Sequence, residues 1–255
     1  MPEFNILSLF SGIQAGGLDL GLELAGMTVV GQVEIDPFCQ RVLAKHWPEV
    51  LRHDDVRTCV EWWRSEPRPA VHAVVGGFPC QPFSSAGRRR GTADERWGWP
   101  WMADVVRAVR PFYVLVENVA NLLADRDAFG WLLGDLADLG FDAEWGVLSA
   151  CAMGAPHVRE RLFVVAYSHG CHGKAGLGLG QGRPVPAGHR GPRPWADPVD
   201  GLLEATRRSG RVADGVPRRL EPARVRALGN AVVPQVAEHI GRLILAAGST
   251  VDGAA

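Results

Sequence analysis

The chain has no CxxC pair among its five cysteines, Cys39, Cys59, Cys80, Cys151 and Cys171. Their odd number and wide spacing exclude a disulfide framework and a zinc ribbon. No run approaches the roughly 18 apolar residues of a membrane span, and the start "MPEFNILSLF" has no basic n-region, so a cytosolic protein without a membrane partner is expected. The GxGxxG fingerprint of nicotinamide enzymes is also missing. Net charge is nearly absent too, at −1, but that total hides an asymmetry. Residues 1–150 carry −7 and residues 151–255 carry +6. A basic half can meet phosphates while an acidic half does other work.

What is present is an alternation. Apolar runs at 4–10, 28–34, 70–78, 112–119, 143–150 and 161–168 are separated by helix-like stretches such as "GLDLGLELAG", "DPFCQRVLAKHW", "WMADVVRAVR" and "FGWLLGDLADLG". Strands alternating with helices, several apolar on both faces, predict an α/β fold with a doubly wound, mostly parallel sheet. Residues 1–167 are expected to form this main domain. After Tyr167 a stretch rich in Gly, Pro, Arg and His, without Asp or Glu as far as Pro194, cannot build a core of its own. It opens a small irregular basic segment over 168–217, followed by a return segment and helix over 218–247 and a tail over 248–255. Helical spacing is clear from Val233 to Ala246.

Open α/β sheets bind ligands at the carboxyl ends of their strands. Phe10 to Gly12, Glu34, Pro79 to Gln81, and Glu117 with Asn118 all fall at such ends. The Gly-rich turn after the first strand lets backbone approach a ligand, and an acid ending the second strand is placed for ribose hydroxyls. Cys80 follows a strand and precedes the basic "PFSSAGRRRG", a setting in which positive charge or backbone dipoles would make thiolate available. Cys39, Cys59 and Cys151, among ordinary helix and strand residues, are expected to be inert core thiols. Glu117 ends a strongly apolar strand, so its pKa should rise, as suits a group that shares a proton. His169, Cys171 and His172 lack a fourth ligand, so no metal is expected. Trp62, Trp63, Trp97, Trp99 and Trp101 suit the gaps of a core better than a base-stacking platform.

"PCQ" at 79–81, "ENV" at 117–119, "GAPHVRERLFVVA" at 154–166 and "LGNAVVP" at 228–234, in that order behind "LFSGIQAGG", resemble the S-adenosylmethionine-dependent DNA (cytosine-5) methyltransferases. The resemblance implies a Rossmann-like class I methyltransferase fold with a small recognition segment. It implies that Cys80 attacks C6 of a flipped-out cytosine, that Glu117 binds N3 and the exocyclic amine, and that Arg161 meets O2 with Arg159 close by. S-adenosylmethionine would lie against Phe10, Gly12, Glu34, Ile35, Asp55, Val56, Pro79 and Asn230. Double-stranded DNA would be held by Gln81, Ser84, Arg88, Arg89 and Arg90. The turn F-S-G-I-Q-A-G-G is longer than the family's usual F-x-G-x-G-G, and His157 stands where Gln is common. A monomer associated with the nucleoid through its DNA is implied, either solitary or beside a cognate restriction endonuclease. An RNA cytosine methyltransferase of the same fold and a non-catalytic DNA-binding relative stay open as alternatives.

Overall fold

A computed structural model describes residues 3–12, 17–80, 97–155, 157–169, 177–179 and 232–249. Gln81, Ser84, Arg88, Arg89, Arg90 and Asn230 lie outside the described residues, as do Cys171, His172 and nearly all of the 168–217 segment.

The described strands are β1 (Asn5–Leu9), β2 (Thr28–Val33), β3 (Leu51–His53), β4 (Ala73–Gly76), β5 (Tyr113–Val119), β6 (Phe141–Ser149) and β7 (Glu160–Ser168). They form one seven-stranded sheet in the order β3-β2-β1-β4-β5-β7-β6. Every pairing from β3 to β5 is parallel. The mostly parallel expectation holds there, but β7 runs antiparallel to both β5 and β6. The reason is local. β6 and β7 are joined by only a short 3-10 turn and loop, too little chain for the crossover that a parallel pair needs.

Helices α1 (Leu18–Ala25), α2 (Pro37–His46), α3 (Cys59–Arg64), α4 (Trp99–Val109), α5 (Arg126–Asp138) and α6 (Pro234–Ser249) cover the sheet. Their ends follow from sequence. Asp36 caps α2 by accepting from the backbone N–H groups of Phe38 and Cys39, with Pro37 in the first turn. Asp125 caps α5 through the Ala128 N–H. On one side of the sheet Val74, Val114, Val116 and Val164 pack with Met102 and Val106 of α4 and Leu132 and Leu136 of α5. On the other, Ile6, Val75, Leu115 and Phe163 pack with Leu18 and Leu22 of α1 and with Val236, Ile240 and Ile244 of α6. Alternate residues of each buried strand thus serve different layers.

α6 lies against α1 at backbone distance. A side chain on Gly21 would run into the Pro234 carbonyl and the Ala237 methyl, and one on Gly17 into the Val232 carbonyl. This contact sets Val232 beside Gly17, one residue before the start of α1. The tryptophans divide: Trp97 and Trp99 are buried, Trp62 and Trp63 pack partly exposed against the core, and Trp101 is half-buried. Cys39 and Cys59 are buried as expected, but Cys151 is exposed. It sits on the 3-10 turn Ala150–Met153, where only Ala150 is buried, with its sulfur 3.0 Å from the Ser149 hydroxyl. Among the described residues no helix is long and apolar enough to cross a membrane, and no cluster of three or more His, Cys, Asp or Glu could hold a metal.

Candidate active site

The carboxyl ends of the parallel strands open onto two groups of side chains. The first lies over β1, β2 and β3. Phe10 and Gly12 both take left-handed backbone, at φ 52° and 60°. Such a conformation is strained for Phe10 and is kept only where surrounding bonds fix it. They do: the Ser11 N–H donates to the Val33 carbonyl at 2.9 Å, and the Gly12 N–H to Glu34 Oε2 at 2.6 Å. The other Glu34 oxygen accepts from the Asp36 N–H at 2.7 Å. Burial pushes the Glu34 carboxyl above its usual range, against the pull of those N–H groups. Ile35 beside it is 65% exposed.

Beneath the turn is a buried polar cluster that sequence reasoning missed. Asp19, fully buried on α1, accepts from the Ser8 hydroxyl at 2.7 Å and from the Gln32 amide at 3.0 Å, while the Ser11 hydroxyl donates to the Ser8 carbonyl. Desolvation pushes Asp19 up to about 6 despite those two donors. Polar residues at Ser8 and Gln32, inside otherwise apolar strands, were the available signal.

At the end of β3, Asp55 opens a 3-10 turn, accepting from the Arg57 N–H at 2.9 Å, and the Arg57 guanidinium grips the same carboxylate from the side. That grip holds Asp55 below the ordinary carboxylate range. Val56 packs partly buried beside it. The Glu34 N–H donates to the His53 carbonyl, which ties the ends of β2 and β3 together.

The second group lies over β4, β5 and β7. The Asn118 amide donates to the Phe78 carbonyl at 3.1 Å, and the Gly98 N–H to the Pro79 carbonyl at 3.1 Å. These bonds hold Phe78 to Cys80 between the end of β5 and the start of α4. Cys80 is 9% exposed and bridges Trp97. Register places Arg161 opposite Val119 and Phe163 opposite Glu117, so Arg161 lies diagonal to Glu117 on one face. Its Nε approaches Glu117 Oε1 at 3.1 Å. The approach is an ion pair without hydrogen-bond alignment, and that buried oxygen has no hydrogen-bond partner. Arg159, one step before β7, shares a small cavity with Arg161, Phe163, Val232 and Val236.

Electrostatics here differ from the sequence expectation. Burial pushes the Cys80 thiol up to about 11; the Glu117 charge pushes the same way, while the Val119 N–H and Arg161 pull down. The positive charge is present but does not win against desolvation, so the resting group is a thiol. Burial likewise pushes Glu117 up to about 7, against Arg161 and Arg159. The two groups are coupled: a proton on Glu117 removes one of the charges that hold the Cys80 proton in place. Cys59, pushed up to about 12, has only burial and Glu61 acting on it, which is what separates a packing thiol from this one.

A model of the C-5 cytosine-specific DNA methylases matches residues 4–183. The type II methyltransferase M2.BsuMI of Bacillus subtilis (strain 168) is 33% identical over 169 residues, 64% of this chain and 41% of the relative. M.HgiCII of Herpetosiphon aurantiacus is 35% identical over 173 residues, 65% of this chain and 37% of the relative. The chain therefore spans less than half the length of these two relatives. Among solved structures, a prophage-encoded DNA modification methyltransferase (E. coli) superposes with a TM-score of 0.55 at 25% identity, covering 65% of this chain and 47% of that one. The Entamoeba histolytica methyltransferase EhMeth shares the fold at a TM-score of 0.56 and 19% identity, over 72% and 58%. The match takes in the turn after β1, the Cys80 loop, the end of β5 and the Arg161 strand, and on it the chain belongs to the C-5 cytosine-specific DNA methylase family.

Proposed function

We propose that this chain methylates C5 of cytosine in double-stranded DNA with S-adenosylmethionine as donor, acting as a monomer. The observation that carries the reading is the meeting of Cys80, Glu117 and Arg161 at the ends of β4 and β5 and the start of β7, with the Glu117 carboxyl and the Arg161 guanidinium 3.1 Å apart. A nucleophile, a carboxyl group that titrates near neutrality and a fixed cation are what addition to a pyrimidine ring needs.

The residues over β1 to β3 fit the cofactor. Glu34 has one oxygen on the Gly12 N–H and one on the Asp36 N–H, and a carboxylate oxygen can accept twice, so ribose hydroxyls still find acceptors there. Exposed Ile35 and part-buried Val56 offer apolar surface to a flat ring, and Asp55 offers an ionised acceptor. By the family resemblance Pro79 and Asn230 also meet the cofactor, Asn230 at its methionine end. When bound, the cofactor supplies an electrophilic methyl group.

A cytosine must leave the stack to reach Cys80, at a cost of a few kcal/mol that pocket contacts offset. Protonated Glu117 donates to N3 and accepts from the exocyclic amine, and Arg161 steadies O2 with Arg159 behind it. Cys80 passes its proton to water and adds through sulfur to C6 while the Glu117 proton settles on N3, and the displaced ring electrons make C5 the acceptor of the methyl group that bound cofactor would supply, with S-adenosylhomocysteine as the leaving sulfide. Loss of the C5 proton then expels Cys80 and restores the ring. Gln81, Ser84 and Arg88 to Arg90 hold the DNA. The chain works either alone or beside a cognate restriction endonuclease.

Nucleoside mass spectrometry of DNA from cells expressing the chain or its Cys80→Ser variant tests this. 5-Methylcytosine with the first and not the second is expected. Its absence from DNA, with the same label in RNA, would replace the substrate, and its absence from both would remove the activity.

A further inference from the structure

Asp55 and Arg57 form more than a surface pair. Arg57 Nε lies 2.9 and 3.0 Å from the two Asp55 oxygens, its terminal nitrogen lies 2.5 Å from Oδ2, and its own backbone N–H caps Oδ1 at 2.9 Å. A carboxylate offers about four lone-pair sites, and these three donors leave about one open. The guanidinium is in turn placed 5.9 Å from the ring centre of Trp101 on α4, so the carboxylate is tied across to a second element. Its companions at the sheet end are Ile35, exposed, and Val56.

We propose that Arg57 is a positioning residue for cofactor recognition: by occupying all but one acceptor site of Asp55 and fixing its plane, it turns that carboxylate into a reader of a single N–H donor, the exocyclic amine of adenine. This rests on the cofactor site proposed above, with the flat ring at Ile35 and Val56 taken as the adenine and its edge at the Asp55 acceptor. Removing Arg57 leaves Asp55 with its backbone cap alone and free to turn, so the gain from the amine falls while the rest of the cofactor is held as before. Lys at this position restores charge but not the two-pronged grip.

The test is calorimetric affinity for S-adenosylhomocysteine and for S-inosylhomocysteine, which carries an oxygen in place of the amine. The unaltered protein should prefer the adenosyl compound by about tenfold or more, because a site built for a donor rejects the analogue lacking it. Arg57→Ala should reduce that preference to about threefold or less through weaker adenosyl binding, with inosyl binding and melting temperature unchanged; Arg57→Lys should fall between, and Trp101→Ala should show a smaller loss. Equal loss for both compounds, no loss, or tighter adenosyl binding in Arg57→Ala would overturn the proposal alone. Equal affinity of the unaltered protein for the two would overturn the adenine placement, and the proposal with it.

Discussion

The two groups of side chains at the sheet end are made in opposite ways. Over β1 to β3 the carboxylates are answered within the chain: Glu34 by two backbone N–H groups, Asp55 by its cap and Arg57, Asp19 by Ser8 and Gln32. Over β4, β5 and β7 they are not. Glu117 has a buried oxygen without a hydrogen bond, and Cys80 is held as a thiol by desolvation and a neighbouring charge. A surface that only binds can be satisfied in advance, whereas groups that exchange protons are left short of partners which the substrate supplies.

Glu117→Gln should break the second group most. Methyl transfer should fall by about 10² to 10⁴, the usual worth of a positioned acid. In the same variant Cys80 should react faster with iodoacetamide at pH 8, since removing the Glu117 charge lowers the thiol pKa from about 11. Slower alkylation would sink the coupling between the two.

Arg161→Ala should act next. It leaves a buried carboxyl group without its cation, at about 3–5 kcal/mol of stability when Glu117 is ionised. The folded pKa of Glu117, about 7, stands above its ordinary 4.5, so its contribution to stability is full below 4.5 and is lost as pH rises through 7. Urea denaturation should therefore show the larger loss at pH 8 and a smaller one at pH 5. A pH-independent loss would mean that Arg161 acts by packing alone.

Asp19→Asn tests the first group from below. Asp19 rises from 3.8 to about 6, so its stabilising share is present below pH 4 and lost as pH passes 6. Asn cannot ionise, and Gln32 Oε1, buried without a partner, can turn to accept its amide. A gain of about 1–3 kcal/mol at pH 8 and none at pH 4 is expected, read as melting temperature against pH. Smallest should be Glu34→Gln, whose single oxygen cannot serve both the Gly12 and Asp36 N–H groups. A loss of about fivefold to tenfold in S-adenosylhomocysteine affinity with unchanged stability is the expected result.

Most of the layered plan was legible because buried strands and capped helices announce themselves. "AVHAVVGGF" and "FYVLVENV" are apolar on alternate and adjacent positions alike, and Asp36-Pro37 marks a helix start. β3 and α3 were not legible. "LRH" is three residues without a buried position, and "CVEWWR" is a turn and a half with two tryptophans. Cys80 and Glu117 could be found from strand ends alone, but Arg161 came only from a motif, since nothing local says which strand it will face. The state of the thiol was misjudged because desolvation depends on burial that no single stretch encodes. Asp19 reads as an acid favouring the positive end of a helix, and only the packed structure shows it sealed between β1 and β2.

The reversal of β7 also decides where its first residues go. In a parallel sheet, residues that begin a strand lie at the edge away from the ligands. At about 3.3 Å per residue, a β7 of nine residues turned to run with β5 over the same span would set Arg161 opposite Tyr113, about 13 Å along the sheet from Glu117. Running the other way, it delivers its opening residues beside the closing residues of β5. The charge that Glu117 needs is therefore a property of strand direction, and swapping side chains within a uniformly parallel sheet could not reproduce it.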